Sequence, residues 1–294
     1  MQQFISYDFL SHQANHCLDF PKWWYENDKK IPRRNHNELN IENIKDYDII
    51  FVKTYMLSDK TKKVINPSWI KSLGGPFKEN VLPQINKKFI LITGISDASP
   101  ADDKNYHEIL ENPYLIKWFT TNPPTEEHPK LDWLPIGFPE EYRFIGNPKI
   151  LNHFWKKEYK WNDKKNKIFL PYHGETHPQR KIMIENLKNN PLVEVGEKMN
   201  IIDYYKKMSE YKFIISLRGN GWDCLRHYES LLVGSVPIMD GGPIPNKFKQ
   251  HNLPVLDINQ INNSIFDMKF DFSNVKQFLT RQYHYDRIEK SRKV

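Results

Sequence analysis

The stretch that decides the fold is Lys212–Met239, KFIISLRGNGWDCLRHYESLLVGSVPIM. Lys212–Leu217 is an apolar run of the length of a buried strand. Gly219, Asn220 and Gly221 follow as a turn, in which the two glycines let backbone pass close to a ligand. Asp223 is placed to cap a helix over Asp223–Val233. Leu225, Tyr228, Leu231 and Leu232 fall at helical spacing there and form a core stripe. Gly234 ends the helix, and Val236–Met239 is the next strand. Strand, turn, helix and strand make one βαβ unit of a parallel sheet.

The same stretch carries chemistry. A helix N-terminus presents free N–H groups and a positive dipole end, which suit a phosphate. Arg218 and Arg226 add positive charge on both sides of the turn. Glu229 sits beside the apolar stripe, where its carboxylate can accept two ribose hydroxyls.

Working outward, more strands and helices alternate. Asp48–Lys53 (DIIFVK) and Phe89–Thr93 (FILIT) read as buried parallel strands, with Leu115–Phe119 and Trp133–Ile136 as weaker ones. Between the first two, Asn66–Ile85 reads as a segment that Pro67 starts and Gly74-Gly75-Pro76 breaks. Phe144–Lys167 lacks clear periodicity and is the expected domain boundary. A second series follows: strand Ile168–Tyr172, helices Pro178–Asn189 and Asp203–Tyr211, the deciding stretch, and a tail helix over Ser273–Ile288. The expected division is 1–155 and 156–294, with the last helix free to pack back on the first domain. A cleft between two such halves is a natural ligand site, because ligands bind beyond the carboxyl ends of parallel strands.

Composition narrows the class. The 294 residues carry a net charge of +7 with both signs mixed, which favours an anionic partner. Two cysteines, Cys17 and Cys224, exclude a disulfide scaffold. No apolar run approaches the ~20 residues of a membrane span. The opening MQQFISYDFLSHQ lacks the order of a secretory signal, and a cytoplasmic location is expected.

Two further clusters lie after expected strands. His173-Gly174-Glu175-Thr176-His177-Pro178-Gln179-Arg180 opens a helix. Its two histidines have the spacing of a zinc pair, but Gly174 and Pro178 oppose the continuous helix such a pair needs. Ile92–Asp103, ITGISDASPADD, offers Asp97, Asp102 and Asp103, either as turn caps or as a general base. Asp46 and Asp48 form a D-x-D at a strand start rather than a strand end. His12, His16 and Cys17 lack a fourth metal partner at suitable spacing.

RGNGWDCLRHYESLLVGSVPI resembles the donor-binding segment of exostosin-like glycosyltransferases. FILITGISD, IKWFTTN and LPIGF are similar to the acceptor half of related enzymes, including some from large DNA viruses. The resemblance covers roughly residues 89–245 and is strongest over Arg218–Pro237. It implies a GT-B fold, two Rossmann-like α/β domains facing across a cleft, with the sugar nucleotide held mainly by the C-terminal one. It also implies an inverting transfer, without a metal or other cofactor, from a UDP-sugar to a hydroxyl of a glycan acceptor. Xylose, galactose and glucuronic acid are all plausible as the transferred sugar.

Carried onto this sequence, the resemblance puts Arg218 on the diphosphate, Glu229 on the ribose, and Gly219, Asn220 and Gly221 around the phosphates. Asp223 and Arg226 stand near the sugar or the phosphates. The segment with His173 and Thr176 brings Arg180 to the diphosphate. The match to T-G-x-S-D favours Asp97 as base, with Asp102 and Asp103 in reserve. The rival reading is a non-enzymatic protein that binds nucleic acid or glycans. Against nucleic acid stands the lack of any RNP-like, helix-turn-helix or zinc-finger pattern.

Overall fold

The computed structural model describes residues 3–6, 9–18, 23–26, 29–32, 39–58, 76–141, 143–174 and 176–293. The chain divides into two compact units. One comprises Met1–Ser6 and Ile136–Tyr283, the other Tyr7–Pro135 and His284–Val294.

The unit built mainly from the N-terminal half is α/β. Its parallel sheet runs β1 (His16–Leu18), β4 (Asp48–Lys53), β5 (Phe89–Gly94), β6 (Leu115–Thr120) and β7 (Leu131–Trp133), in that spatial order. An antiparallel hairpin, β2 (Trp23–Glu26) and β3 (Lys29–Pro32), stands outside that sheet. All six residues of β4 and of β5 are buried. Ile50, Val52, Phe89 and Leu91 join Phe77, Ile109 and Trp118 in one cluster. Ile49, Phe51, Ile90 and Ile92 are buried as well. Strands buried along their whole length read as continuous apolar runs, which is why DIIFVK and FILIT were legible.

The other unit holds a second parallel sheet, in the order β12 (Leu256–Asp257), β11 (Val236–Met239), β10 (Tyr211–Ile215), β8 (Lys165–Leu170) and β9 (Val193–Val195). Its helices of seven or more residues are α1 (Pro148–Trp155), α2 (Pro178–Lys188), α3 (Ile201–Ser209), α4 (Leu225–Leu232) and α5 (Ile244–Gln250). A last helix, α6 (Arg281–Ser291), begins in this unit and ends in the other. The chain passes from β8 to the edge strand β9, then returns to the opposite side of β8 with β10. The order therefore reverses between β8 and β10, the position at which open α/β sheets bind ligands.

Several elements differ from the sequence reading. The units part at Pro135/Ile136, whereas composition places the boundary at 155/156. The reason is α1, which lies inside the aperiodic stretch. Pro148 occupies its first turn and Asn147 accepts from Lys149 N. It buries Leu151 and Phe154, and the Phe154 ring meets Tyr205 at 5.1 Å.

The tail is two helices, Val275–Phe278 and α6. They part where the N-terminal segment pairs with the chain: Ile5 N donates to Leu279 O and Arg281 N to Gln3 O. Strands β1, β9 and β12 have three, three and two residues, too short to show a period. The expected strand at Trp133–Ile136 is found at Leu131–Trp133. Much of the expected segment Asn66–Ile85 lies outside the described residues. Its described end is helical over Phe77–Gln84. No helix among the described residues is long and apolar enough to cross a membrane.

Candidate functional site

The site is assembled where the order of the C-terminal unit's sheet reverses. Three connections leave the carboxyl ends of adjacent strands: 171–177 after β8, 216–224 after β10, and Asp240–Gly242 after β11. Arg180, in the first turn of α2, binds the first two together. Its Nε donates to Arg218 O and its Nη2 to Leu217 O, both at 2.9 Å. Its Nη1 donates to Gly174 O at 2.9 Å and to Thr176 Oγ1 at 2.8 Å. Four of the five guanidinium N–H groups are thereby used. Arg180 is a clamp whose charge stays beside the site, not a side chain reaching out to a ligand. Gly219 lies under this clamp. A Cβ there would come within 3.3 Å of Thr176 Oγ1, a tight contact, and 3.5 Å of Arg180 Nη2, an ordinary one.

Arg218 is half-buried and preorganised. Its guanidinium stacks on the Trp222 ring at 3.7 Å, and its Nη2 donates to Asn220 O at 2.8 Å. Its backbone N–H donates to Asp240 Oδ1 at 2.8 Å. Burial raises the Asp240 pKa, and Arg218 and Arg180 pull it back. Asp240 did not emerge from the sequence, although its signal was there: a polar residue at a strand's carboxyl end, before two glycines. Gly241 takes φ +93° and has no atom within 4 Å of a would-be Cβ. At Gly174 a Cβ would meet only Thr176, at 4.0 Å. Both loops thus border open space at a glycine.

Glu229 lies on α4 at 7% exposure. Its Oε2 accepts from the Tyr204 hydroxyl at 2.9 Å and its Oε1 from the Tyr205 hydroxyl at 3.5 Å. Tyr204 in turn accepts from Arg226 Nε at 3.2 Å, and Arg226 Nη2 donates to Tyr172 O at 3.1 Å. Burial raises the Glu229 pKa, and Arg226 and the two hydroxyls oppose this. Burial works against the Arg226 charge, yet Tyr204 and Glu229 outweigh it and raise its pKa. Tyr204 and Tyr205 escaped the sequence reading, because they come from α3 and meet Glu229 only in the fold.

His173 is 6% exposed. Its Nδ1–H donates to Pro171 O at 2.6 Å, which leaves Nε2 as the lone-pair nitrogen. Nε2 is buried without a hydrogen-bond partner, and so is Nδ1 of His177. Burial, then Arg226 and Arg180, hold His173 well below the usual histidine range. Burial and the cations Arg218 and Arg180 lower His177 as well. Among the described residues, no three His, Cys, Asp or Glu side chains gather so as to hold a metal ion.

Other residues near the turn have internal roles. Asp223 does not cap α4, whose N-cap is Cys224 without a side-chain bond. Instead its Oδ1 accepts from Tyr228 at 2.5 Å and its Oδ2 from Ile136 N at 3.0 Å. The Cys224 thiol, pushed up to about 12 by burial, accepts from Gly219 N at 3.1 Å. His227 Nδ1 pairs with Ser216 Oγ at 2.7 Å and Nε2 with Trp222 O at 3.2 Å.

In the N-terminal unit the three aspartates separate. Asp97 is exposed, just beyond the carboxyl end of β5. It follows Ile95, held at φ +53°, a strained conformation for a β-branched residue. The turn is fastened by Asn122 Nδ2 to Ser96 O at 3.0 Å and by Ala98 N to Ser96 Oγ at 2.9 Å. The two reserves have structural work. Asp102 forms a capping box with Ser99. Asp103 is fully buried and paired to Lys78 Nζ at 2.7 Å. Burial raises its pKa, and the bond from Lys78 and others more than reverse this, for a net lowering. Asp48 pairs with His16 Nε2 at 2.8 Å, and the Cys17 thiol donates to Ser11 O.

No protein-family model and no curated protein sequence matches the chain. The chain is similar to a solved structure described as "Crystal structure of GtfA/B complex", at 8% identity and a TM-score of 0.37. The match covers 92% of this chain and 65% of that one, so this chain spans less than two thirds of its neighbour's length. A likeness of that degree carries no functional argument.

Proposed function

We propose that the chain is a glycosyltransferase of GT-B type and that its C-terminal unit binds a nucleotide-diphosphate sugar, a UDP-sugar first of all. One observation carries this reading. At the order reversal of a parallel sheet, Arg218 is held on a turn that opens a helix, and a buried, tyrosine-bound carboxylate, Glu229, lies one turn along that helix. The combination suits a diphosphate beside a vicinal diol.

Charge grows on the diphosphate as the glycosidic bond breaks. Positioned cations and backbone N–H groups stabilise it without proton transfer. In this reading Arg218 meets the diphosphate directly, and Arg180 keeps the loops 171–177 and 216–224 in register while adding its field. Glu229 receives the ribose hydroxyls in lone-pair positions that Tyr204 and Tyr205 leave open. Asp97 is the proposed base for the acceptor hydroxyl in an inverting, metal-independent transfer.

The test is incubation with a panel of UDP- and GDP-sugars, reading slow release of free nucleotide, beside thermal stability with UDP or single-stranded DNA. Release from a UDP-sugar and a salt-resistant shift with UDP support the reading. Salt-sensitive DNA binding alone would favour a nucleic-acid-binding protein.

A further inference from the structure

The donor-site reading leaves His173 unused. His173 Nε2 is sealed from solvent, carries a lone pair, and has no partner. Its tautomer is fixed from behind by the 2.6 Å bond from Nδ1–H to Pro171 O. The nearest cations do not satisfy it, because Arg180 donates to the carbonyls and Thr176, and Arg226 to Tyr204 and Tyr172 O. A buried acceptor without a donor is costly, so a ligand that supplies the donor gains affinity. The adjoining residues are placed for this. Tyr172 is 55% exposed, and Gly174 borders open space.

The chemistry of Nε2 selects its partner. As an acceptor it needs a ligand that donates. A diphosphate bridging nucleoside and sugar is fully ionised and has no hydrogen to give, whereas a hydroxyl has one. We infer that a local shift of residues 171–174 opens Nε2 on ligand binding and that His173 Nε2 accepts a hydrogen bond from a sugar hydroxyl of the donor nucleotide, on the ribose or on the transferred sugar. His173 thereby reads the carbohydrate part of the ligand and not its phosphates. This inference rests on the donor-site reading above.

Calorimetry on wild type, His173→Leu and His173→Gln tests it, with pyrophosphate, UDP, and UDP-xylose, UDP-galactose and UDP-glucuronic acid as probes. His173→Leu should leave pyrophosphate affinity within about twofold and weaken a hydroxyl-bearing ligand about tenfold, the equivalent of one hydrogen bond. Equal weakening of UDP and the UDP-sugars locates the donor on the nucleoside, and a weakening that vanishes with 2′,3′-dideoxy-UDP places it on a ribose hydroxyl rather than on uracil N3–H. Weakening confined to the UDP-sugars locates it on the transferred sugar. Gln, which can place an acceptor oxygen near Nε2, should recover part of the loss.

In wild type, the ¹⁵N resonance of His173 Nε2 should move towards a hydrogen-bonded acceptor when the weakened ligand is added, a readout that survives a misfolded variant. Weakening of pyrophosphate as great as that of UDP, or an unmoved resonance at saturation, overturns the assignment. Wild-type protein that binds none of these probes overturns the donor-site reading and this inference together. Wild-type binding that His173→Leu leaves unchanged overturns this inference alone.

Discussion

The guanidinium of Arg218 lies 3.7 Å from the centre of the Trp222 ring, stacked rather than extended into solvent. An arginine held this way loses less conformational freedom when it meets an anion. Its partner is fixed too, since Gly242 packs against the Trp222 indole so tightly that a Cβ there has no room.

Arg218 and Glu229 should each matter for nucleotide binding. Arg218→Ala should weaken UDP binding by ~1.5–3 kcal/mol, the range for a hydrogen bond to a charged group. Glu229→Ala should weaken UDP while sparing pyrophosphate. Calorimetry that finds UDP affinity unchanged in both variants, with the fold intact, rejects the placement.

Arg180 should behave differently, because its bonds are internal. Arg180→Lys removes the fork that joins the carbonyls of Gly174, Leu217 and Arg218. Urea unfolding should show a loss of about 2–4 kcal/mol, as for a buried charge network broken at one member. A variant as stable as wild type would mean that the clamp is idle.

Stability should fall in acid. Burial pushes the His227 pKa down to about 3, while the unfolded chain titrates near the ordinary 6.5. Between those values the unfolded state binds more protons, so stability is lost as pH falls through 6.5 towards 3. By pH 4.5 the loss is ~3 kcal/mol. His227→Gln should be less stable than wild type at pH 7 and lose less on acidification. Parallel pH profiles for the two proteins would refute the assignment.

The aspartates after β5 separate by readout. Asp97→Asn should slow transfer to an acceptor by ~10²–10⁴ with UDP affinity unchanged. Asp103→Asn should instead destabilise the fold by about 1–3 kcal/mol, because the Lys78 ammonium is left with only its longer pairings to Glu108 and Glu79. Normal transfer by Asp97→Asn removes it as the base.

Metal dependence is a separate expectation. Turnover in excess EDTA should stay near the untreated rate. Activity lost in EDTA and restored by Mn²⁺ or Mg²⁺ would contradict it and return attention to Asp46 and Asp48.

Local features follow from neighbouring residues alone. KFIISL reads as a strand because the run is short, rich in aromatic and β-branched residues and followed by a glycine turn, and the strand is found at Tyr211–Ile215. Gly234, at φ +66°, ends α4 in a conformation that favours glycine. The turn with its two arginines and Glu229 was legible for the same reason: its residues lie within one strand–turn–helix.

Other features depend on partners far away in the chain. The three-residue β9 is a strand because β8 supplies its ladder, and its edge position is what puts the order reversal beside His173. Asp102 and Asp103 are neighbours of the same type. One caps a turn and the other is buried against Lys78, a difference set by a residue 25 positions away. Arg180 became a clamp, and Glu229 acquired two tyrosines, because α2, α3 and α4 converge on one end of the sheet. Side-chain hydrogen bonding depends on distances of about 3 Å, which sequence spacing does not encode once the chain has crossed a sheet.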